Sequence, residues 1–190
     1  MIRTFGLKSA YSPITKLADN YYKISWGYED IKDPIYAELT AEEQAKVDAG
    51  EQVERTKIGE ADTDYCIYVY ETVHFKPSIE YIKSLIIGWY NKQIDDKILF
   101  GFVWNNIPVW LSSENQFNYK AAYDLAVQTQ GATLPVTFKF GDTFDPVYYT
   151  FNSIEEFTTF YMSAISYINT CLAEGWTKKD NINWESYKIN

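Results

Sequence analysis

The densest runs of aromatic and β-branched residues in the middle of the chain lie on either side of Asn105-Asn106. In residues 98–104, aromatic and branched apolar side chains occupy every second position, and residues 107–111 resume the extended pattern. Because asparagine tolerates the positive φ of a tight primed turn, the pattern predicts a β-hairpin that turns at the two asparagines. Pro108 has no amide hydrogen to donate, so its strand is expected at or near a sheet edge.

A helix is predicted directly after this hairpin, from Ser113 to Gly131. Ser113 and Gln116 have the spacing of a capping box, in which the two side chains satisfy backbone amides that the first helical turn leaves unpaired. Gly131 suits the left-handed residue that commonly ends a helix. A stripe at four-residue spacing is expected to face the sheet: Phe117, Ala121 and Leu125.

Capping residues and apolar stripes indicate three other helices. Thr40 and Glu43 form a capping box before a short helix. A second helix is predicted over residues 78–91. The clearest amphipathic pattern in the chain predicts a third helix over residues 154–173, with Gly175 as its C-terminal cap.

Strands are predicted where β-branched and aromatic residues are dense between turn residues. The segments with this pattern are residues 21–26, 65–75, 134–140 and 147–151. A turn containing Asp142 and Asp145 joins the last two, so they form a second hairpin. Residues 51–64 are charged and poor in apolar side chains, and are expected to be a loop or linker.

Together these elements predict an α+β fold in which antiparallel β-hairpins pack against about three amphipathic helices. A chain of 190 residues fits one domain, or one domain with a small appendage. Residues 1–60 are predicted to form an N-terminal arm or small appendage. Residues 61–190 are predicted to form the main α+β domain.

Charge and aromatic content narrow the classes of function. The formal net charge of −9 argues against a nucleic-acid-binding protein, which needs a basic face. No uncharged apolar run is long enough to span a membrane, and the N-terminus has no apolar signal core. We therefore expect neither nucleic acid nor membrane as a partner. The 17 Tyr, 11 Phe and 6 Trp residues are of types enriched where surfaces meet partners or sugars.

Histidine and cysteine offer little chemistry. The single histidine, His74, falls near the end of a predicted strand, and no nucleophile motif accompanies it. Cys66 and Cys171 are far apart and lack metal-ligand spacing, so both are expected to be small buried apolar residues. We predict no catalytic residue, no metal site and no cofactor.

Acidic residues are the remaining candidates. Asp142 and Asp145, like Asp62 and Asp64, lack the rest of a calcium loop and are better explained as turn residues. Two carboxylates from distant segments would suffice for a glycosidase, and the sequence leaves that alternative open.

Two segments carry a resemblance to a known family. One has the pattern G-F-x-W-x-x-x-P-V-W-L-S-x-E-N-Q from Gly101 to Gln116, and the other has G-W-x-K-K-D from Gly175 to Asp180. With the sequence around them they resemble a domain of unknown function found in bacteriophages and gut-bacterial prophages, often encoded near tail and fibre genes. The resemblance covers roughly residues 75–183 and supplies no catalytic residues.

The resemblance implies a virion structural or tail-fibre assembly protein that acts through protein–protein contacts and is not an enzyme. Its partners would be other virion proteins, in a homo-oligomer or a hetero-assembly. It would be located in the virion, after assembly in the host bacterial cytoplasm. The alternatives are a glycan-binding module and, less favoured, a carboxylate-dependent glycosidase. Interface candidates are Trp104, Asn106, Trp110 and Gln116, with burial of the tryptophans in the core as the competing explanation.

Overall fold

The computed structural model of the protein describes residues 1–189 and confirms the α+β fold class. Antiparallel sheets and helices form two compact units. The first unit comprises residues 1–82 together with the end of the chain from Asn183. The second unit comprises residues 83–182.

The first unit is built on a four-stranded antiparallel sheet with strand order β1-β4-β3-β2. Its strands are β1 (Ile2–Leu7), β2 (Ile14–Ala18), β3 (Tyr21–Tyr36) and β4 (Lys57–Val73). A short helix, α1 (Ala41–Asp48), lies between β3 and β4 in the chain, and 3-10 turns cover Lys8–Ala10 and Trp184–Tyr187.

The first half of β3 forms the core of this sheet. It buries every second side chain on one face, namely Tyr22, Ile24 and Trp26. The C-terminal segment is fixed to the same strand, because the buried Tyr187 hydroxyl donates to the Ser25 carbonyl at 2.8 Å. Tyr187 therefore anchors the end of the chain in the first unit.

The observed division of the chain differs from the predicted one at residue 60. That position lies inside β4, where Glu60 pairs with Pro34 of β3. Residues 57–64, predicted as part of a loop, are strand because they complete the ladder with β3. Local composition did not signal this pairing, because Ile58 is the single large apolar residue of the segment 57–64, which therefore lacks the apolar alternation of a half-buried strand.

The second unit contains the longer helices and two separate two-stranded sheets. Helix α2 (Ile79–Phe100) leads into it from the first unit. The elements that follow are β5 (Phe102–Trp104), β6 (Ile107–Val109), α3 (Ser113–Gln128), β7 (Val136–Gly141), β8 (Pro146–Phe151) and α4 (Ile154–Asp180).

Phenylalanine rings from these elements form one continuous core. Phe160 of α4 is fully buried at its centre, with its ring centroid 4.9 Å from Phe151, 5.3 Å from Tyr119 and 5.4 Å from Phe140. Both hairpins and α3 contribute to the same cluster. The predicted packing of hairpins against amphipathic helices is thus confirmed for this unit.

The first predicted hairpin is correct at its turn and wrong in its first strand. Asn105 and Asn106 have φ angles of 48° and 63°, as a primed turn requires. Residues 98–100, however, belong to α2, and β5 contains only three residues. The helix continues because Ile94 and Ile98 extend its inward stripe, so helical packing overrides the alternating pattern.

Helix α3 differs from its prediction in both cap and face. The Ser112 hydroxyl, rather than that of Ser113, accepts the cap hydrogen bond from the Asn115 N–H at 3.2 Å. The predicted stripe faces solvent, with Phe117 71% and Leu125 50% exposed. The stripe that packs on the core combines two tyrosine rings with two small residues: Tyr119, Ala122, Tyr123 and Ala126.

Gly175 does not cap α4, which continues to Asp180. The glycine is buried inside the helix, and a β-carbon built on it would lie 2.2 Å from Cδ1 of Ile94 on α2. Gly175 is therefore a site of close approach between the two helices. A glycine at the end of an amphipathic pattern also suits a helix cap, and for that reason the sequence predicted a cap here.

We expect Gly175→Ala to destabilise the second unit by about 1–2 kcal/mol, because the added methyl group overpacks Ile94. The matched control is Gly88→Ala on α2, where an added β-carbon meets nothing within 4 Å. That variant should gain about 0.5–1 kcal/mol from helix propensity alone. Urea unfolding of both variants measures the difference, and equal effects would contradict the close-approach role.

Candidate functional site

Two of the four interface candidates have structural roles. Trp104 is half-buried, and its ring meets Phe160 edge-on at 5.5 Å. The side-chain amide of Gln116 donates to the Leu111 carbonyl at 2.7 Å. This hydrogen bond fixes the backbone just before α3 begins. Both side chains therefore make contacts within the second unit.

Asn106 and Trp110 are the two candidates that lie on the surface. Asn106 is exposed at the hairpin turn. Trp110, directly after β6, is 49% exposed, and its ring stacks on that of Phe100 with centroids 6.0 Å apart and planes 29° apart. Their participation in an interface stays a prediction.

Trp110 lies at the border of two adjoining depressions, which together we call the Trp110 groove. The first has a volume of about 290 Å³ and an apolar lining that includes Leu99, Phe100 and Pro108. The second, of about 490 Å³, has a mixed lining that includes Glu114, Asn115 and Lys139. Both depressions share Trp110 and residues 141–143. The volume of the second falls within the range of ligand sites, roughly 300–1,000 Å³, and that of the first lies just below it.

Backbone geometry shapes the loop beside Trp110. Gly141 has a φ of 79°, and an added β-carbon would lie 2.3 Å from the Asp145 carbonyl oxygen. The Asp142 side chain accepts from the amides of Phe144 and Asp145, each at 2.7 Å. Asp142 is thus a turn residue, as predicted, and one of its carboxylate oxygens is held in place by the turn.

A second surface feature occupies residues 27–65, which we call the acidic ribbon. In it β3 and β4 pair with each other, from Lys32 opposite Asp62 to Tyr36 opposite Lys57. None of the described residues between Trp26 and Cys66 is buried. Exposed apolar side chains lie along it, among them Ile35, Tyr36 and Ile58.

The acidic ribbon carries most of the net charge of the protein. It contains twelve acidic and four basic residues, a net charge of −8 out of −9 for the whole chain. At its base, the Lys8 ammonium and then the Tyr28 hydroxyl hydrogen-bond to Asp30 and hold the pKa of that carboxyl group below its usual value. The sequence signal for this feature was the charge run of residues 51–64, which we interpreted as a linker.

The remaining chemistry-bearing residues have packing roles. The His74 ring stacks on Tyr21 with centroids 4.5 Å apart and planes 9° apart. Cys66 and Cys171 are buried free thiols, as the sequence predicts. Among residues 1–189, no three His, Cys, Asp or Glu side chains group in a way that would hold a metal ion.

Comparison with known proteins assigns no function to either surface. No helix within residues 1–189 is long and apolar enough to cross a membrane. No protein-family model, curated protein or solved structure matches the chain.

Proposed function

We propose that the protein is a bacteriophage or prophage virion structural or tail-fibre assembly protein whose acidic ribbon binds a basic surface of another virion chain. The phage setting rests on the resemblance of residues 75–183. The contact role rests on one observation, the long polar ribbon in which no side chain from residue 27 to residue 65 is buried.

The physical argument concerns the stability of such a ribbon. A two-stranded antiparallel ribbon is only marginally stable in water, because it lacks a core to offset the entropy of ordering its backbone. Ion pairs such as Lys57 with Glu60 are exposed and contribute little. A partner that covers Ile35 and Ile58 would supply the missing apolar contacts.

The charge of the ribbon indicates the kind of partner. Two copies of a segment with a net charge of −8 repel each other, which disfavours a homo-oligomer joined through the ribbon. A basic surface on a different chain is complementary, and it would accelerate association in a salt-dependent way. Of the two assembly modes, the hetero-assembly is therefore favoured.

We expect the chain to be present in gradient-purified particles or their assembly intermediates, and to be lost from them when the ribbon is shortened. Residues 33–61 are replaced by Asn-Gly, because Lys32 and Asp62 are directly opposite in the β3–β4 ladder and a two-residue turn can join such a pair. Quantitative mass spectrometry of the particles measures the result. Circular dichroism of the purified variant checks that the rest of the chain folds.

A pair of charge reversals provides the matched control. Glu38→Lys with Glu51→Lys alters the ribbon, and Asp95→Lys with Asp180→Lys makes the same change in net charge on the second unit. Only the ribbon pair should reduce incorporation into particles. A chain absent from particles and intermediates, or equal effects of the two pairs, would contradict the proposal.

A further inference from the structure

We propose that the Trp110 groove binds an uncharged oligosaccharide that carries acetamido groups. This binding activity goes beyond the assembly role and does not depend on it. The groove belongs to the second unit, whereas the acidic ribbon belongs to the first, so each can be altered without the other. Three properties of the groove carry the inference: an aromatic platform, a set of fixed acceptors and an apolar depression beside them.

The platform is the indole of Trp110. About half of its surface is exposed, and the ring lies beside that of Phe100, which is itself 65% exposed, so the two rings form an open aromatic surface. The C–H bonds on one face of a pyranose ring pack against such an aromatic face, whose negative quadrupole attracts the weakly positive hydrogens.

The acceptors lie in the second depression and its loop. The hydrogen bonds of Asp142 to the loop amides engage Oδ1 and leave Oδ2 to accept from sugar hydroxyls. The side-chain amide of Asn115 donates to the Trp110 carbonyl at 2.8 Å, which fixes that side chain and leaves its oxygen as an acceptor. Glu114 adds a further carboxylate. A few polar groups held beside an aromatic surface are typical of small-ligand sites.

The charges beside the platform select against acidic sugars. Asp142 and Glu114 carry two negative charges against the single positive charge of Lys139. An anionic sugar would place its carboxylate near the net negative charge and would be disfavoured. The lining thus favours a neutral sugar.

The apolar depression indicates the substituent. Its lining includes Leu99, Phe100 and Pro108, and it adjoins the edge of the Trp110 platform. A hydroxyl group placed against these three residues would gain no hydrogen bond from their side chains, whereas the methyl of an acetamido group would bury apolar surface against them. Sugars with acetamido groups fit this combination better than simple hexoses.

The experiment titrates the 190-residue protein with two trisaccharides of the same β-linkage, one of N-acetylglucosamine and one of glucose. Isothermal calorimetry and amide chemical-shift changes measure binding. We expect the acetamido sugar to bind with a millimolar or lower Kd, and the glucose sugar to bind at least about tenfold more weakly. Trp110→Ala should weaken binding of the acetamido sugar by at least about tenfold.

Two further variants separate the site from general effects on the fold. Trp176→Ala removes another half-exposed tryptophan of the same unit and should leave binding unchanged. Asp142→Asn keeps an oxygen that can accept from the loop amides but replaces the other acceptor by a donor, so it should weaken binding several-fold while the protein stays folded, which circular dichroism checks. These results would support the site.

Other outcomes would overturn the proposal. Flat titrations with both sugars, equal binding of the two sugars, or equal losses in Trp110→Ala and Trp176→Ala would each do so. If sugar titrations are flat while Trp110→Ala reduces incorporation into particles, the groove is a protein-docking surface. That result would overturn the sugar site and leave the proposed assembly role unaffected.

Discussion

Phe160→Ala is expected to destabilise the second unit by about 3–5 kcal/mol, the range expected when a fully buried phenylalanine is truncated. The Phe160 side chain is fully buried and in contact with rings from both hairpins and from α3. Removing it deletes a large apolar area and leaves a cavity that the surrounding rings fill only in part. A loss of this size is a large fraction of the roughly 5–15 kcal/mol that stabilises a typical domain.

Urea or thermal unfolding measures this loss, with Met162→Ala as the matched control. Met162 lies two residues further along α4 and is 58% exposed, so its truncation should cost less than about 0.5 kcal/mol. Phe160→Leu should fall between the two because it leaves a smaller cavity. Similar costs for Phe160→Ala and Met162→Ala would show that the ring cluster is not the core of this unit.

The second large effect is a loss of stability in alkali. Burial among aromatic rings raises the pKa of Tyr119 from 10.0 to about 12. As the pH rises from 10, the unfolded chain releases this phenolic proton while the folded chain retains it. The free energy of unfolding therefore falls between about pH 10 and pH 12, and it is unaffected by this group below pH 10. Two pKa units correspond to about 2–3 kcal/mol.

Comparison of the native protein with Tyr119→Phe isolates this contribution from those of other titrating groups. Unfolding free energies are measured in urea at several pH values, and tyrosinate absorbance follows ionisation. The native protein should lose about 2–3 kcal/mol more than Tyr119→Phe between pH 10 and pH 12. Parallel pH profiles for the two proteins would refute the assignment.

The candidate surfaces could be predicted from the sequence only in part. Trp110 was a candidate because tryptophan is common at interfaces, but its partner was not evident, since Phe100 was placed in a strand and lies at the end of α2. Residues 141–143 reach Trp110 only through packing of the second hairpin. The acidic ribbon was divided between a predicted arm and a predicted linker, because its strands lack apolar alternation.

Local sequence by itself determined the features that depend on a few neighbouring residues. These are the capping box at Thr40, the positive-φ turn at Asn105-Asn106, the hairpin of β7 and β8, and the turn role of Asp142. In each case the backbone groups and the side chains that satisfy them are close along the chain, so short-range chemistry suffices.

Tertiary structure decided the features that depend on which distant parts of the chain pack against each other. It extended α2 into a stretch that alternates like a strand, and it turned Phe117 outward while Tyr119 turned inward. It also placed Gly175 against Ile94 instead of at a helix end. Burial of a side chain is a property of the pair of surfaces that meet, and a periodic pattern specifies only one of them.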